Sequence, residues 1–337
     1  MSEALPGLDL ERLRAYLDRA APGLVAGPLG GRMITGGKSN LTYTVTDGTG
    51  SWVVRRPPLG HVLATAHDMP REYRVMSALR GTDVPVPRTH VLCEDPDVLG
   101  APFYVMEHVA GTPLRTLDEI APFGAEGVRS IASALIATLG ALHAVDPEAV
   151  GLGDFGRPDG FLERQVRRWS RQLEASRSRD IPGVDELRDR LAATLPEQGA
   201  PAIVHGDYRL DNVLVTGDGR LTAVLDWEMA TLGDPLVDLG LMLVYREQPV
   251  IGGARPATSA EGFPDSAELA RTYAAATGRD VSRIGWYVAF GCFKLAVIAE
   301  GIHYRHTRGL TVGAGFDGIG DVVAPLVRRA RSVLEED

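Results

Sequence analysis

The feature that most constrains the fold is the run AIVHGDYRLDNVLVTGDGRLTAVLDWE, residues 202–228. Two short apolar segments, NVLVT and LTAVLD, flank the turn sequence GDGR, a pattern typical of a β-hairpin. Charged and amide residues stand at both ends of this run. Because a hairpin folds its two ends together, we expect the side chains at those ends to converge. Those before the hairpin are His205, Asp207, Arg209, Asp211 and Asn212, and those after it are Asp226 and Glu228.

Asp207, Asn212 and Asp226 offer hard oxygen ligands. Two carboxylates and an amide oxygen suit Mg²⁺, which usually takes one or two protein carboxylates together with phosphate oxygens. The asparagine content also singles out this set, because the chain has two asparagines, Asn40 and Asn212. We therefore predict a magnesium site at this hairpin, with a salt-bridged surface hairpin as the structural alternative.

A second motif, ITGGKSNLTYTV at residues 34–45, nearly matches the phosphate-binding pattern G-x-x-x-x-G-K-[ST]. The first glycine of that pattern would be residue 32, which is Arg32. The residues from Leu41 onward alternate as in a β-strand, whereas a P-loop opens a helix whose N-terminus helps to hold the anion. The P-loop interpretation is therefore excluded. A glycine-rich loop carried on a β-hairpin, or a simple turn, remains.

The spacing in the 202–228 run resembles that of the protein kinases, which carry H-R-D-x-x-x-x-N and a later D-F-G. Here Asp207 stands five positions before Asn212, and Asp226 heads the later DWE. The form H-G-D-x-x-x-x-N with a later Asp resembles the aminoglycoside phosphotransferase family, small-molecule relatives of the protein kinases. VHGDYRLDNVLV and VLDWEMATLGDPLVDLG are most similar to the kinase-like domains found alone in bacteria or fused to some acyl-CoA dehydrogenases.

The resemblance extends over most of the chain and implies a two-lobed, protein-kinase-like α+β fold. A small N-terminal β-sheet lobe would precede a larger, mainly helical C-terminal lobe. The local patterns agree, since hairpins and short strands dominate the first hundred residues and apolar or charged helices follow EHVAGTPL. We place a nucleotide-binding lobe at residues 1–108 and a catalytic and substrate-binding lobe at residues 109–337.

The resemblance also implies an ATP- and Mg²⁺-dependent phosphotransferase acting on a small-molecule hydroxyl. Asp207 is expected to be the catalytic base that accepts or orients the proton of that hydroxyl. Arg209 matches the position where protein kinases place a lysine near the transferred phosphoryl group. Asn212 and Asp226 are the expected Mg²⁺ ligands.

Three neighbouring residues are expected to have structural roles. The position of His205 in the motif is usually a packed histidine, and Asp238 resembles the family aspartate that braces the catalytic loop. Asp234 precedes Pro235 and is predicted to cap the following helix.

In the kinase-like scheme, a hairpin covers the phosphates and the returning strand carries a lysine to them. WVVR puts Arg55 in that place, and arginine is not interchangeable with lysine because it presents a wide bidentate fork. Glu72 is the expected partner of Arg55, with an ordinary ion pair as the alternative. Backbone groups from Glu107 to Val109 are expected to contact the adenine. The residues expected to cover the phosphates are Gly36, Gly37, Lys38, Ser39 and Asn40.

Charge and composition limit the kinds of partner that we expect the protein to bind. A net charge of −9 argues against a nucleic-acid-binding surface. Cys93 and Cys292 give no disulfide framework, so a reducing cytoplasm is expected. The apolar stretch at residues 284–302 contains Lys294 and Glu300, which favours a buried helix over a membrane span. We expect a monomer or homodimer with a small-molecule substrate, and neither a nucleic acid nor a membrane as partner.

Two other function classes remain open beside the phosphotransferase. A pseudokinase or nucleotide-binding regulator of the same fold is favoured by Arg55 at the lysine position and opposed by the intact Asp207, Asn212 and Asp226. A metal-dependent hydrolase would need a histidine-rich cluster, and VHGD offers one histidine. The acceptor is also open between an antibiotic and a hydroxyacyl metabolite. Residues that would line its pocket, or else belong to the core, are Trp169, Trp286, Glu300 and His303.

Overall fold

The computed structural model describes residues 5–34, 40–59, 67–247, 254–311 and 316–336. Its backbone contacts divide the chain into two compact units. The first unit comprises residues 1–111 and 222–230, and the second comprises residues 112–221 and 231–337. Residues 222–230, which contain Asp226, therefore belong to the first unit. The roles assigned to the predicted lobes, residues 1–108 and 109–337, stay predictions.

The first unit contains a five-stranded antiparallel sheet with the strand order β1-β2-β3-β5-β4. Its strands are β1 (Gly30–Met33), β2 (Leu41–Thr46), β3 (Ser51–Arg56), β4 (Thr89–Cys93) and β5 (Phe103–Glu107). Strands β2 and β3 form the predicted hairpin, paired from Leu41 with Arg56 to Thr46 with Ser51. The Asp47 side chain accepts the N–H groups of Thr49 and Gly50 in the turn, which fixes the register of the hairpin.

Three helices accompany this sheet: α1 (Leu10–Ala20), α2 (Met69–Leu79) and α3 (Pro96–Leu99). Asp9 caps α1 by accepting the N–H groups of Glu11 and Arg12, and Asp68 caps α2 in the same way. The alternation along β2 buries Tyr43 and Val45, which share a core cluster with Leu13 and Leu17 of α1. One face of the sheet is thus closed by α1.

The second unit is mainly helical. Its helices are α4 (Leu117–Ile120), α5 (Gly124–Ala144), α6 (Phe161–Ser176), α7 (Val184–Ala193), α8 (Leu236–Arg246), α9 (Ser266–Thr277), α10 (Ile284–Thr307) and α11 (Val323–Glu336). Its short strands are β6 (Ala202–Val204), β7 (Val213–Val215) and β9 (Thr231–Gly233), and strand β8 (Leu221–Val224) belongs to the first unit except for its first residue. Strand β6 pairs antiparallel with β9. A tight turn follows β7, where the Thr216 N–H donates to the Arg220 oxygen at 2.9 Å.

Helix α10 is the central element of the second unit and packs against α11, α8 and α6. Its contact with α8 is close at Gly240, where an added Cβ would lie 2.6 Å from the Tyr287 backbone. Glycine is therefore required there for the helices to approach. The segments 117–144 and 284–307 are long and apolar enough to cross a membrane, and the most apolar window of the second is 83% buried. That burial agrees with the predicted core helix.

The antiparallel sheet near the N-terminus and the helical part that follows confirm the predicted α+β class. The first turn of α8 also follows its sequence pattern. Asp234 accepts the N–H of Leu236 at 3.0 Å, as expected of a cap, and accepts the Tyr287 hydroxyl at 2.7 Å. These bonds fix the start of α8 against α10, and both helices carry residues of the site described next.

Candidate active site

The loop after β6 is held by Asp238, which lies in the first turn of α8. The Asp238 carboxylate accepts the backbone N–H groups of His205 and Gly206, each at 2.7 Å. Gly206 has a φ of +86°, a conformation that L-residues rarely adopt. Burial alone would raise the pKa of Asp238, but His143, whose Nε2 lies 3.3 Å away, and the backbone donors hold it below its usual value. Asp238 thus braces the loop, as predicted.

Asp207 follows this loop, and both of its carboxylate oxygens accept a hydrogen bond. Asn212 Nδ2 donates to Oδ2 at 2.9 Å, and the Tyr245 hydroxyl donates to Oδ1 at 2.7 Å. His205 is fully buried, and its Nδ1 accepts the Asp207 N–H at 3.2 Å. The structure therefore brings the predicted pair Asp207 and Asn212 together and places His205 in a packed, structural position.

Arg209 lies beside Tyr245 rather than on Asp207 directly. Its guanidinium carbon is 4.0 Å from the centre of the Tyr245 ring, a cation–π geometry. The guanidinium also pairs with Asp211, and burial raises the pKa of that carboxyl. Tyr245 was not predicted from the sequence, and it links Arg209 to Asp207.

Lys294 is a second site residue that sequence reasoning missed. Its Nζ donates to the Gly206 oxygen at 2.6 Å and lies 5.5 Å from the Trp169 ring. Burial lowers the pKa of Lys294, while Asp207 and Asp238 partly offset that effect. A signal was present, because the chain has two lysines, Lys38 and Lys294. The scarcity argument that singled out the two asparagines applies equally to them.

In the first unit, Arg55 on β3 is surrounded by carboxylates. Its Nε lies 3.0 Å from Glu72 Oε2, which places the predicted partner beside it, and its Nη2 bonds Asp226. The Tyr104 hydroxyl donates to Glu72 Oε2 at 2.9 Å. The Asn40 amide donates to Glu72 at 3.2 Å. Arg55 and Glu72 thus form the centre of a buried polar cluster.

Burial dominates the electrostatics of this cluster. It raises the pKa of Glu72 to about 7, against the opposing effects of Arg55 and the Tyr104 hydroxyl. Burial alone would lower the pKa of Arg55, but the groups around it, led by Tyr104, Glu72 and Asp226, raise it instead. Arg55 therefore keeps its positive charge at every accessible pH.

Asp226 has a φ of +67°, which is uncommon for a residue with a side chain. The next residue, Trp227, is fully buried, and its Nε1 donates to the Val224 oxygen at 3.0 Å. The buried indole holds the backbone in this conformation. Backbone strain of this kind clusters at active sites and ligand clamps.

The other predicted nucleotide contacts stay predictions. Gly36, Gly37, Lys38 and Ser39 lie outside the described residues. Asn40 is buried and bonds Glu72 and Glu228, so its predicted contact with phosphate stays a prediction. The Glu107 N–H already donates to the Arg88 oxygen at 2.8 Å. That N–H is thus already paired, and the predicted backbone contacts of Glu107 and Val109 with the adenine stay predictions.

The magnesium prediction rests on donor chemistry. Within the described ranges, no three or more His, Cys, Asp or Glu side chains are grouped to hold a metal ion. The predicted ligands are Asn212 in the second unit and Asp226 in the first, so their convergence stays a prediction. A two-ligand set of this kind would rely on phosphate oxygens to complete the coordination of Mg²⁺.

A cavity of about 350 Å³ lies in the second unit. Its polar lining consists of Arg115, Thr116, Arg209 and Tyr245, and the remaining lining residues are Ala254, Pro256, Leu295, Ile298, Ala299, Ile302, Ile319, Val322 and Leu326. None of the four residues considered for an acceptor pocket lines this cavity. Trp286 stacks on Phe290 in the core, and Glu300 is fully buried and pairs with Arg179.

The loop geometry and the fold agree with the family comparison. The model of the phosphotransferase enzyme family APH matches residues 30–287. The chain belongs to this family. Acyl-CoA dehydrogenase family member 11 of Gallus gallus is 35% identical over 336 residues, which cover 95% of this chain and 43% of that protein. The chain thus spans about two fifths of the length of this relative.

One solved structure supports the same assignment to the APH family, and a more distant one shares the fold. A crystal structure from Ralstonia eutropha, provisionally assigned as an aminoglycoside phosphotransferase, has a TM-score of 0.85 and 35% identity, covering 97% of this chain and 98% of that one. The aminoglycoside phosphotransferase APH(4)-Ia, in a ternary complex with AMP-PNP and hygromycin B, has a TM-score of 0.63 at 15% identity and covers 96% and 97% of the two chains. The predicted resemblance and kinase-like fold are confirmed.

Proposed function

We propose that this protein transfers the γ-phosphoryl group of ATP, with Mg²⁺, to a hydroxyl group of a small molecule. Membership of the phosphotransferase family supports the reaction class. The observation that carries the proposal is the fixed carboxylate of Asp207, which accepts the Tyr245 hydroxyl at 2.7 Å. That distance lies within the range of about 2.6–3.2 Å that a general base needs to take a proton from an attacking hydroxyl.

Phosphoryl transfer depends on positioning and on neutralising charge. In the proposed reaction, Asp207 orients the acceptor hydroxyl and receives its proton, while Asn212 keeps the carboxylate in place. Arg209 contributes positive charge near Asp207, because its guanidinium stacks on the tyrosine that bonds this carboxylate. Asp238 and Lys294 hold the loop that carries Asp207.

The nucleotide and the metal fit the residues present. Arg55 is a buried, permanently charged guanidinium that would face phosphate oxygens, with Glu72 to orient it. Asp226 and Asn212 supply a carboxylate and an amide oxygen, both hard donors suited to Mg²⁺. Bound magnesium would neutralise phosphate charge. The AMP-PNP in the APH(4)-Ia complex supports a nucleotide as the phosphoryl donor.

The cavity in the second unit favours one class of acceptor. Its lining contains two guanidinium groups, Arg115 and Arg209, many aliphatic side chains, and no carboxylate among the described residues. A polycationic aminoglycoside would meet like charge there, whereas an acidic molecule with an apolar chain would meet charge-assisted hydrogen bonds and apolar contact. We therefore propose a hydroxyacyl compound rather than an aminoglycoside.

The test is phosphoryl transfer from γ-labelled ATP, with and without Mg²⁺, to two sets of compounds. One set contains hydroxy acids and their thioesters of graded chain length, and the other contains aminoglycoside and macrolide antibiotics. We expect Mg²⁺-dependent labelling of the hydroxyacyl set, with the Asp207→Asn variant as the inactive control. Labelling of the antibiotic set alone would refute the proposed acceptor, and labelling without Mg²⁺ would refute the proposed cofactor.

One observation favours a second function, a nucleotide-binding regulator without turnover. Arg55 holds Asp226, a proposed Mg²⁺ ligand, in an ion pair. If that pair persists when nucleotide binds, the metal cannot be bound productively. A protein that Mg-ATP stabilises against heat, yet that phosphorylates no acceptor in either set, would support this function.

We also propose a cytoplasmic monomer or homodimer that binds neither nucleic acid nor membranes, on the composition and net charge given above. Size-exclusion chromatography with light scattering tests the oligomeric state. A gel shift of labelled DNA or RNA would contradict the proposed lack of nucleic-acid binding. Co-sedimentation with anionic vesicles would contradict the proposed lack of membrane binding.

A further inference from the structure

Tyr245 lies between the cavity of the second unit and the carboxylate of Asp207. Both Tyr245 and Arg209 line the cavity, whereas Asp207 is not among the described lining residues. The Tyr245 hydroxyl reaches Asp207 Oδ1 at 2.7 Å. A molecule that enters the cavity therefore meets the phenol before it meets Asp207.

The phenol hydroxyl is placed as an acceptor hydroxyl would be. It donates to Oδ1 of the carboxylate, while Oδ2 accepts the Asn212 amide. A substrate hydroxyl that gives its proton to Asp207 needs the same donor geometry and a similar distance. The Tyr245 hydroxyl thus occupies one of the positions from which Asp207 can receive a proton.

Two contacts keep the phenol in that position. The Arg209 guanidinium covers the face of the ring at 4.0 Å and is itself paired with Asp211. Tyr245 belongs to α8, the helix whose first turn carries Asp238 and so braces the loop before Asp207. Burial, together with the charge of Asp207, raises the pKa of Tyr245 far above neutral pH, so the phenol remains a hydrogen-bond donor.

We propose that the Tyr245 hydroxyl stands in for the acceptor hydroxyl in the free enzyme and swings aside when the acceptor enters. This proposal rests on the proposed function. Without an acceptor, the phenol keeps water away from Asp207 and so suppresses wasteful hydrolysis of ATP. The acceptor hydroxyl replaces the phenol with a hydrogen bond of the same kind, so the exchange leaves Asp207 paired throughout.

The suppressed reaction is the attack of water on the γ-phosphorus of ATP. The water oxygen forms a bond to that phosphorus, the bond from the γ-phosphorus to the bridging oxygen breaks, and ADP leaves. One proton of the water passes to Asp207 and is later released to solvent. The products are ADP, inorganic phosphate and one proton. A phenol on Asp207 prevents this by occupying the place of the water.

The decisive variant is Tyr245→Phe, which removes the hydroxyl and keeps the ring under Arg209. We expect ATP hydrolysis without acceptor to rise by about tenfold, the scale on which one hydrogen bond controls a step. The KM for ATP should stay unchanged, and the ratio of hydrolysis to acceptor phosphorylation should increase. Tyr16→Phe is the matched control, since the Tyr16 hydroxyl belongs to the first unit and donates to the Leu92 oxygen at 3.2 Å.

Other outcomes overturn the inference. Unchanged hydrolysis in Tyr245→Phe would show that the phenol excludes no water, and an equal fall in hydrolysis and transfer would show that it merely positions Asp207. If the phenylalanine variant fails to fold, Tyr245→Leu allows the same comparison. Failure of the proposed function is distinct, because the wild-type protein would then phosphorylate no acceptor, whereas failure of this inference leaves wild-type transfer intact.

Discussion

The side-chain amide of Asn212 donates two hydrogen bonds to Asp207, one to Oδ2 and one to the backbone oxygen, each at 2.9 Å. Both N–H groups of the amide are thereby used, so its oxygen is directed away from Asp207. One residue can thus fix the proposed base and offer a ligand oxygen to a metal.

This relationship predicts different effects for two substitutions of Asn212. Asn212→Ala removes both the hydrogen bonds to Asp207 and the ligand oxygen, and we expect kcat to fall by about 10²-fold or more. That variant should also require a higher Mg²⁺ concentration for activity. Asn212→Asp keeps a metal ligand but sets a second carboxylate against Asp207. That variant should lose kcat while retaining the wild-type Mg²⁺ requirement. Steady-state kinetics over a Mg²⁺ titration measure both, and an unchanged requirement in Asn212→Ala would contradict the ligand role.

A second prediction concerns Asp226. Asn tolerates the positive φ found there, so Asp226→Asn should fold while it loses the charge proposed to bind Mg²⁺. We expect Mg-ATP to raise the melting temperature of the wild-type protein and to have no effect on the variant. Asp218→Asn, at an exposed carboxylate paired with Arg220, is the control and should respond like wild type. Equal stabilisation of Asp226→Asn would remove Asp226 from the metal site.

A third prediction concerns Lys294, the buried ammonium that bonds the Gly206 oxygen. Lys294→Met leaves that buried carbonyl without this donor, at a cost of about 1–3 kcal/mol in unfolding free energy. Because the carbonyl adjoins Asp207, kcat should fall while the KM for ATP changes little. Lys294→Arg should not restore activity, since the planar fork is larger than an ammonium. Arg220→Met, at an exposed ion pair, should alter neither kcat nor the unfolding free energy. Wild-type kcat in Lys294→Met would show that the contact is merely structural.

A fourth prediction follows from the raised pKa of Glu72. The pKa rises from the ordinary 4.5 to about 7 on folding, so the folded protein binds this proton more tightly than the unfolded chain. The stabilisation is therefore fully present below about pH 4.5 and is lost as the pH rises through 7. The total loss is about 3 kcal/mol.

Urea unfolding at pH 5 and pH 8 measures this loss. Glu72→Gln should remove most of the difference in unfolding free energy between the two pH values, because it cannot ionise. Glu163→Gln, in an exposed i,i+4 pair with Arg167, should leave the wild-type difference in place. If the Glu72→Gln protein kept the full pH dependence of the unfolding free energy, groups other than Glu72 would be responsible for that dependence.

The features predictable from the sequence were mostly local. Alternation from Leu41 to Thr46 placed β2, and the motif spacing brought Asp207 and Asn212 together. The pairing of Arg55 with Glu72 also followed, because the strand–helix order of the resembled fold carries both residues. In each case a short segment or a known order of elements determines the outcome.

Tyr245 and Lys294 could not be found in that way. Their contacts with Asp207 and Gly206 join residues 38 and 88 positions apart, and they depend on how α8 and α10 rotate about their axes. Helix α10 is buried nearly all round, so its sequence has no polar face to indicate that rotation.

The burial of Lys294 also determines how the native protein would respond to acylating reagents. Such reagents attack the neutral amine of lysine. The chain has two lysines, Lys38 and Lys294, and its other basic side chains are arginine and histidine. The lowered pKa of Lys294 increases the neutral fraction of its amine, while its enclosure beside Gly206 keeps reagent away. The rate of acylation of Lys294, measured by mass spectrometry, would therefore report how often the loop that carries Asp207 opens.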